Sequence, residues 1–167
     1  KISKGSYIAF IDADDIWLKN KTKLQLALMK KRKLDFTHTN YSIINKKNKQ
    51  LSNRAARDFM DVKDLITSCD IGLSTVMIKK NILSSNSFSG LKTKEDFVLW
   101  LKLLSKNIKI YGINKNLVFW NKNFNSLSSS TIQKLLDGYR VYNSHMNYNF
   151  LKSFYYLLCL SFNYLKK

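Results

Sequence analysis

Three carboxylates, Asp12, Asp14 and Asp15, follow directly on an apolar run over residues 7–11. Such a run is the pattern of a fully buried strand. In an extended strand residues two apart point to the same side, so Asp12 and Asp14 can offer their oxygens to one site beyond the strand's end. That donor set suits a hard divalent cation, Mg²⁺ or Mn²⁺, held by one or two carboxylates with water and substrate phosphate completing its shell. The plain alternative is a polar turn. Against it, three like charges beside an apolar strand are costly unless a cation holds them ionised. A second acidic pair, Glu95 and Asp96, opens a segment in which Phe97, Trp100, Leu101 and Leu104 recur at helical spacing. Their charge favours a helix N-terminus whether or not they do chemistry. One acidic site for the leaving charge and another to take a proton is what a displacement reaction needs.

Two cation-using patterns share the first letters and diverge afterwards. An EF-hand loop needs Asn or Asp, then Gly, where this chain has Ile16 and Trp17, and a bidentate Glu where it has Lys23. A haloacid-dehalogenase-like phosphatase also uses Asp-x-Asp after a buried strand, its first Asp the nucleophile. Those enzymes continue with Gly or Val and a Thr and carry their later acids after another strand. Here Asp15 and Ile16 follow, and the later acids lie on a helix.

The elements that must position these groups alternate. The pattern predicts a strand over 7–11, then a helix from Asn20 to about Lys33 with Leu24, Ala27 and Leu28 on its inner face. A strand over 36–44 ends at a turn over 45–48, and a polar basic loop follows. A short capped helix is expected over 61–68, a strand over 74–78, the acid-headed helix over 94–105, and two short strands over 108–113 and 116–120. A serine-rich loop over 126–130 leads into terminal helices. This order favours an α/β class with a mixed sheet.

The stretch from Lys4 to Trp17, with Tyr7, Ile8, Ala9, Phe10 and Ile11 leading into Asp12, Ala13, Asp14 and Asp15, resembles the central signature of glycosyltransferase family 2. Residues 36–41, 71–78 and 95–103 resemble later blocks of that family in the same order. The resemblance implies a truncated GT-A fold, a nucleotide-diphospho-sugar transferase-like mixed sheet with flanking helices and C-terminal helices. It implies a partial catalytic domain over residues 1–130 and a helical extension over 131–167. The activity implied is inverting transfer of a sugar from a nucleotide-diphosphate donor to a saccharide or lipid-linked saccharide acceptor, in surface polysaccharide or lipopolysaccharide synthesis. Asp12 and Asp14 then match the donor- and metal-binding motif for Mn²⁺ or Mg²⁺, with Asp15 assisting. Asp96 matches the base and Glu95 its neighbour. The family's Tyr-Arg pair is replaced by Trp120 and Asn121, which leaves Lys122 to meet the diphosphate. Trp17 and Trp120 either line the sugar pocket or pack, and packing is the reading preferred for Trp17. The chain opens in mid-fold without an initiator Met, so an upstream segment holding the nucleotide-reading strands is expected. The chain alone is then expected to be inactive or feeble.

Composition narrows the alternatives. A net charge of +18 comes from 29 Lys plus Arg against 11 Asp plus Glu, and the cations are mostly lysines spread among Asn and Ser. That spread argues against a dedicated nucleic-acid surface, which clusters Arg. It remains compatible with nucleotide diphosphates or an anionic membrane. Cys69 and Cys159 lack metal or redox spacing and read as reduced, buried thiols; with His38 and His145 they give no support to a His/Cys metal site. The expected place is the cytoplasm, peripheral on the inner face of the cell membrane. Residues 148–167 are aromatic, leucine-rich and flanked by lysines, too polar for a span. Two readings compete for them: a helix packed on protein, and an interfacial helix on anionic lipid. The rival to an enzyme is a non-catalytic basic module binding membranes or polyanions, with a phosphatase third.

Overall fold

The computed structural model describes residues 3–83, 88–122 and 130–166. The segment from Ser126 to Ser128, on which part of the family resemblance falls, lies outside them. In chain order the elements are β1 (Tyr7–Ala9), β2 (Ile16–Trp17), α1 (Lys21–Arg32), β3 (Phe36–Ile44), β4 (Gln50–Arg54) and α2 (Val62–Leu65). There follow β5 (Met77–Lys79), α3 (Lys80–Leu83), α4 (Glu95–Ser105), β6 (Tyr111–Asn121), α5 (Thr131–Arg140) and α6 (Phe150–Leu165).

The strands form one mixed sheet in the order β1-β5-β3-β6-β2, with β4 on the far half of β3. The long pair β3 and β6 runs parallel, from Thr37 opposite Tyr111 to Ile44 opposite Asn121. Every other pairing is antiparallel. Thus β3 lends one edge to β6 and divides the other between β5 at its start and β4 at its end. The two strands expected over 108–113 and 116–120 are one. Ile113 pairs with Thr39 and Asn116 with Asn40, so two polar residues are extruded as a bulge without breaking the strand. Asn40 Nδ2 fixes the bulge by donating to Asn114 Oδ1 at 2.8 Å. At Gly112 the chain of residues 56–57 comes so close that a Cβ would lie 2.7 Å from Arg57 N.

The polar loop expected after residue 48 is strand β4. Its sequence has no apolar alternation to announce it. The turn before it does the work: Asn45 Oδ1 accepts from Lys47 N and Lys49 N, and Asn48 takes the left-handed conformation that Asn tolerates. In α2, by contrast, the expected cap is present. Asp61 accepts from Lys63 N and Asp64 N while Asp64 reaches back to the Asp61 N–H.

Two further expectations are corrected. Strand β1 is shorter than 7–11 and only half-buried, because it sits at the sheet's edge with β5 as its single neighbour; Ile11 is exposed. On α1 the inner face is Lys21, Gln25 and Met29, with Leu24 and Leu28 half-buried and Ala27 exposed. Gln25 earns its burial with polar partners, its Nε2 donating to Thr75 O at 2.9 Å and Thr37 Oγ1 at 3.3 Å. Lys21 lays its ammonium 4.0 Å over the Trp17 ring. Burial brings that lysine down to about 7. Cys69 is exposed and Cys159 half-buried, so neither is the buried thiol expected, and they are not joined in a disulfide.

Helix α4 is apolar almost all round, as a helix wrapped by core must be. Phe97, Val98, Leu99, Trp100, Leu101, Leu103 and Leu104 are all buried. Trp100 meets the Phe36 ring edge-on at 4.8 Å, which ties α4 to the start of β3. The acids at its head are therefore fixed by the core itself.

Helices α5 and α6 form a hairpin joined through one wide helical turn at Val141–His145. Lys134 lies over Tyr164 and Tyr139 against Phe150, so the start of α5 meets the end of α6 and the two run antiparallel. Gly138 permits the crossing, since a Cβ there would lie 2.9 Å from Leu157 Cδ1. The neighbouring Asp137 is fully buried and clasps the hairpin to the loop before α4. Its Oδ2 accepts from Thr93 N at 2.9 Å, Thr93 Oγ1 at 3.0 Å and Gln133 Nε2 at 2.9 Å, and Arg140 pairs with its Oδ1 at 3.3 Å. Desolvation pushes this carboxyl up, but those bonds outweigh it and hold the group below the usual carboxylate range. A depressed folded value means stability present above the ordinary carboxylate range and lost as pH falls through the folded one. Asp137→Ala should cost about 2–3 kcal/mol, since it strands buried donors. Urea unfolding at neutral pH measures it, and a loss well under about 1 kcal/mol would show that the clasp is not holding the hairpin.

Candidate functional site

The acidic motif lies on a turn, not on the strand. Strand β1 stops at Ala9, and residues 12–15 close a turn through Asp15 N donating to Asp12 O at 3.1 Å. The chain must reverse here because β2 runs antiparallel to β6 on the other side of the sheet. The 3₁₀ turn Leu73–Thr75, where a strand was expected from residue 74, holds the reversal in place. Ser74 Oγ accepts from Asp12 N at 2.9 Å, and Ser74 O accepts from Trp17 Nε1 at 2.7 Å. Trp17 is thus a packing residue, clamped between this turn and Lys21. Ser74 is the pin of the motif.

The three aspartates differ in surroundings. Asp12 and Asp14 are exposed and Asp15 is buried. Asp15 Oδ1 accepts from Asn121 N at 3.0 Å, tying the motif to the end of β6. Its Oδ2 is buried without a partner among the described residues, as is Asn121 Oδ1. Burial pushes Asp15 up to about 6; Ser74 and Asn121 pull it back through hydrogen bonds, and Asp12 and Asp14 push it further up. Asp12, though exposed, is raised first by partial desolvation and then by the charge of Asp14. An orphaned buried carboxylate oxygen amid crowded negative charge fits a hard cation. Among the described residues no three His, Cys, Asp or Glu side chains form a ready-made cage. The protein's share of such a site is thus one or two carboxylates, with the rest left to water and substrate oxygens.

Glu95 and Asp96 are half-buried in the first turn of α4. The preceding Lys94 is left-handed, with φ 63°, a conformation that disfavours a side chain and marks the loop as held by its surroundings. Burial pushes Asp96 up to about 7 and Glu95 adds to it, while the Phe97 N–H and Lys94 pull it back. Asp12 also raises Asp96, so the turn and the helix head lie within reach of each other's charge. Asp96 thus lies within reach of the charge of Asp12, and Asp15 within reach of Asp12 and Asp14, with Glu95 beside Asp96. Lys122 is exposed one residue beyond Asn121, its N–H donating to Ile44 O at 2.8 Å. Its neighbour Asn121 is the residue that bonds Asp15.

Tyr41 and Ser74 carry parts of the site that the linear pattern did not single out. Tyr41, on β3, is pushed up to about 12 by burial; Arg54 lowers it, and Cys69, Asp96 and Asp15 raise it. It thus feels the charge of both Asp15 and Asp96, with Gly72 packed against its ring. Both residues stand in blocks already noted, 36–41 and 71–78, and that was the available signal.

No protein-family model matches the chain. It is 34% identical over 160 residues to the Escherichia coli UDP-Glc:alpha-D-GlcNAc-diphosphoundecaprenol beta-1,3-glucosyltransferase WfgD, covering 95% of this chain and 62% of that protein. It is 30% identical over 166 residues to the Bacillus subtilis putative teichuronic acid biosynthesis glycosyltransferase TuaG, covering 99% and 66%. The chain thus spans somewhat under two-thirds of the length of these curated relatives. Among solved structures, the crystal structure of S. aureus TarS 1-349 in complex with UDP-GlcNAc superposes with a TM-score of 0.62 at 19% identity, over 85% of this chain and 42% of that one. The shared architecture is the GT-A fold.

Proposed function

We propose that the chain is part of a glycosyltransferase and forms the metal-binding and acceptor side of an enzyme that moves a sugar, with inversion, from a nucleotide-diphosphate donor to a hydroxyl of a lipid-linked saccharide. The observation that carries this reading is the acidic turn over residues 12–15, pinned by Ser74 and tied through Asp15 to the end of β6, with Asp96 at the head of α4 within reach of Asp12. Asp96 as carboxylate takes the proton of the acceptor hydroxyl; the acceptor oxygen forms its bond to the anomeric carbon as the bond to the diphosphate oxygen breaks, and the nucleoside diphosphate leaves with that electron pair. Glu95 keeps the Asp96 carboxyl basic. Asp12, Asp14 and Asp15 would hold Mn²⁺ or Mg²⁺, which neutralises charge on the leaving diphosphate. Tyr41 lies within reach of the charge of both Asp15 and Asp96. Lys122 meets the diphosphate from the β6 end.

The donor class is supported by the UDP-GlcNAc in the TarS complex, and the acceptor class by the diphosphoundecaprenol in the name of WfgD. A lipid-linked acceptor places the work at the inner face of the cell membrane, in polysaccharide synthesis. The test uses the full natural chain carrying these residues, a UDP-sugar, a polyprenyl-diphosphate-linked GlcNAc and Mn²⁺. Acceptor-dependent release of UDP is expected. Release that needs no acceptor, or none across the common UDP-sugars with either metal, counts against the proposal.

A further inference from the structure

The α5–α6 hairpin turns more apolar surface outward than its attachment to the core uses. On α6, Ser153 and Leu160 are buried and Tyr156 and Leu157 half-buried against the core, whereas Leu151, Phe154, Leu158, Phe162 and Leu165 form an outward stripe, 49% to 80% exposed. On α5, Ile132, Leu135 and Leu136 are exposed as well. Contiguous apolar surface of this kind marks an interaction site. Charge says what it meets. Lys134, Arg140, Lys152 and Lys166 border the hairpin, and its one acid, Asp137, is buried and already paired. From Phe97 to Lys167 the sequence holds ten Lys or Arg and that single acid. The lysine stems lie along aromatic rings, with the ammonium of Lys152 3.7 Å over Tyr148 and that of Lys166 4.9 Å over Phe162. Cationic heads at the rim of an apolar stripe are the anatomy of an interfacial helix.

We propose that this hairpin docks the protein on an anionic lipid bilayer, its outward stripe in the boundary between headgroups and acyl chains and its lysines on acidic headgroups. A second copy is disfavoured, since it would bring like charges together. Among the described residues no helix is long and apolar enough to cross a membrane. The docking stands apart from the proposed transfer and is tested without it. The Asp137 clasp to Thr93 gives it a consequence, because it sets the loop that leads into Glu95 and Asp96 at a fixed place relative to the membrane.

Co-sedimentation with phosphatidylcholine vesicles, with and without phosphatidylglycerol, reads the proposal directly. Partitioning is expected to be at least about tenfold stronger with the anionic lipid and to weaken as salt rises. Lys152→Glu with Lys166→Glu should weaken it about tenfold or more, and Phe154→Ser with Leu158→Ser should do the same at low salt. Circular dichroism checks that each variant keeps its helices; if one does not, the lipid and salt comparison on the wild-type chain decides. Equal binding to neutral vesicles, no binding to either, folded variants that bind as the wild type does, or a dimer abolished by these substitutions in a chain that ignores vesicles would each overturn the proposal.

Discussion

Asp96→Asn is expected to cut sugar transfer by about a thousandfold while leaving the protein at least as stable at pH 8. The substitution keeps the shape of the side chain and removes its ability to take a proton. Burial and Glu95 raise Asp96 to about 7, so its ionised form is the costly one. A raised folded value means that its contribution to stability is full below the ordinary carboxylate value and is lost as pH rises through about 7. The asparagine carries no such loss, so it should match or exceed the wild type on the alkaline side. The wild-type rate should run the other way, climbing as pH passes through about 7, since only the carboxylate is a base. Initial rates and urea unfolding across that range, on the full natural chain, test both halves. A variant keeping more than about a tenth of the rate, or a flat profile, would remove Asp96 from the chemistry.

Asp14→Ala should be nearly as damaging, through the other end of the reaction. Asp14 raises Asp12, and Asp12 in turn raises Asp15 and Asp96, so one negative charge spreads its influence across the site. Such crowding is tolerable when a divalent cation shares the oxygens. Removing Asp14 should weaken Mn²⁺ binding by about a hundredfold or more and cut transfer comparably. Chelation of the wild type should abolish transfer, and added Mn²⁺ or Mg²⁺ should restore it. Binding can be followed without turnover through Trp17 fluorescence, because its indole is pinned to the Ser74 carbonyl beside the motif. Unchanged Mn²⁺ affinity in Asp14→Ala would argue that the acidic turn is only a turn.

What could be seen in one dimension was what local pattern and family resemblance carry. The acidic run, the acid-headed helix α4 and the β-branched strand β3 announce themselves because each is set by its own residues. The inner face of α1 could not be seen so. Lys21 and Gln25 look like solvated positions, and only Trp17, Thr37 and Thr75, brought in from other elements, make their burial tolerable. Strand β4 is polar and gains its place from the Asn45 turn, not from alternation. Asn114 and Lys115 look like a break between strands, yet a bulge absorbs them. The turn that presents Asp12 depends on Ser74, sixty-two positions away, and no spacing rule reaches that far.

The clasp at Asp137 also fixes the phase of α5. Each residue of a helix is turned about 100° from the last. One residue inserted between Thr131 and Asp137 would therefore swing that carboxylate away from Thr93, or else carry Ile132, Leu135 and Leu136 around toward the loop it now holds. Variation in length should thus gather before residue 131 and after residue 140, with the stretch between kept to a constant count.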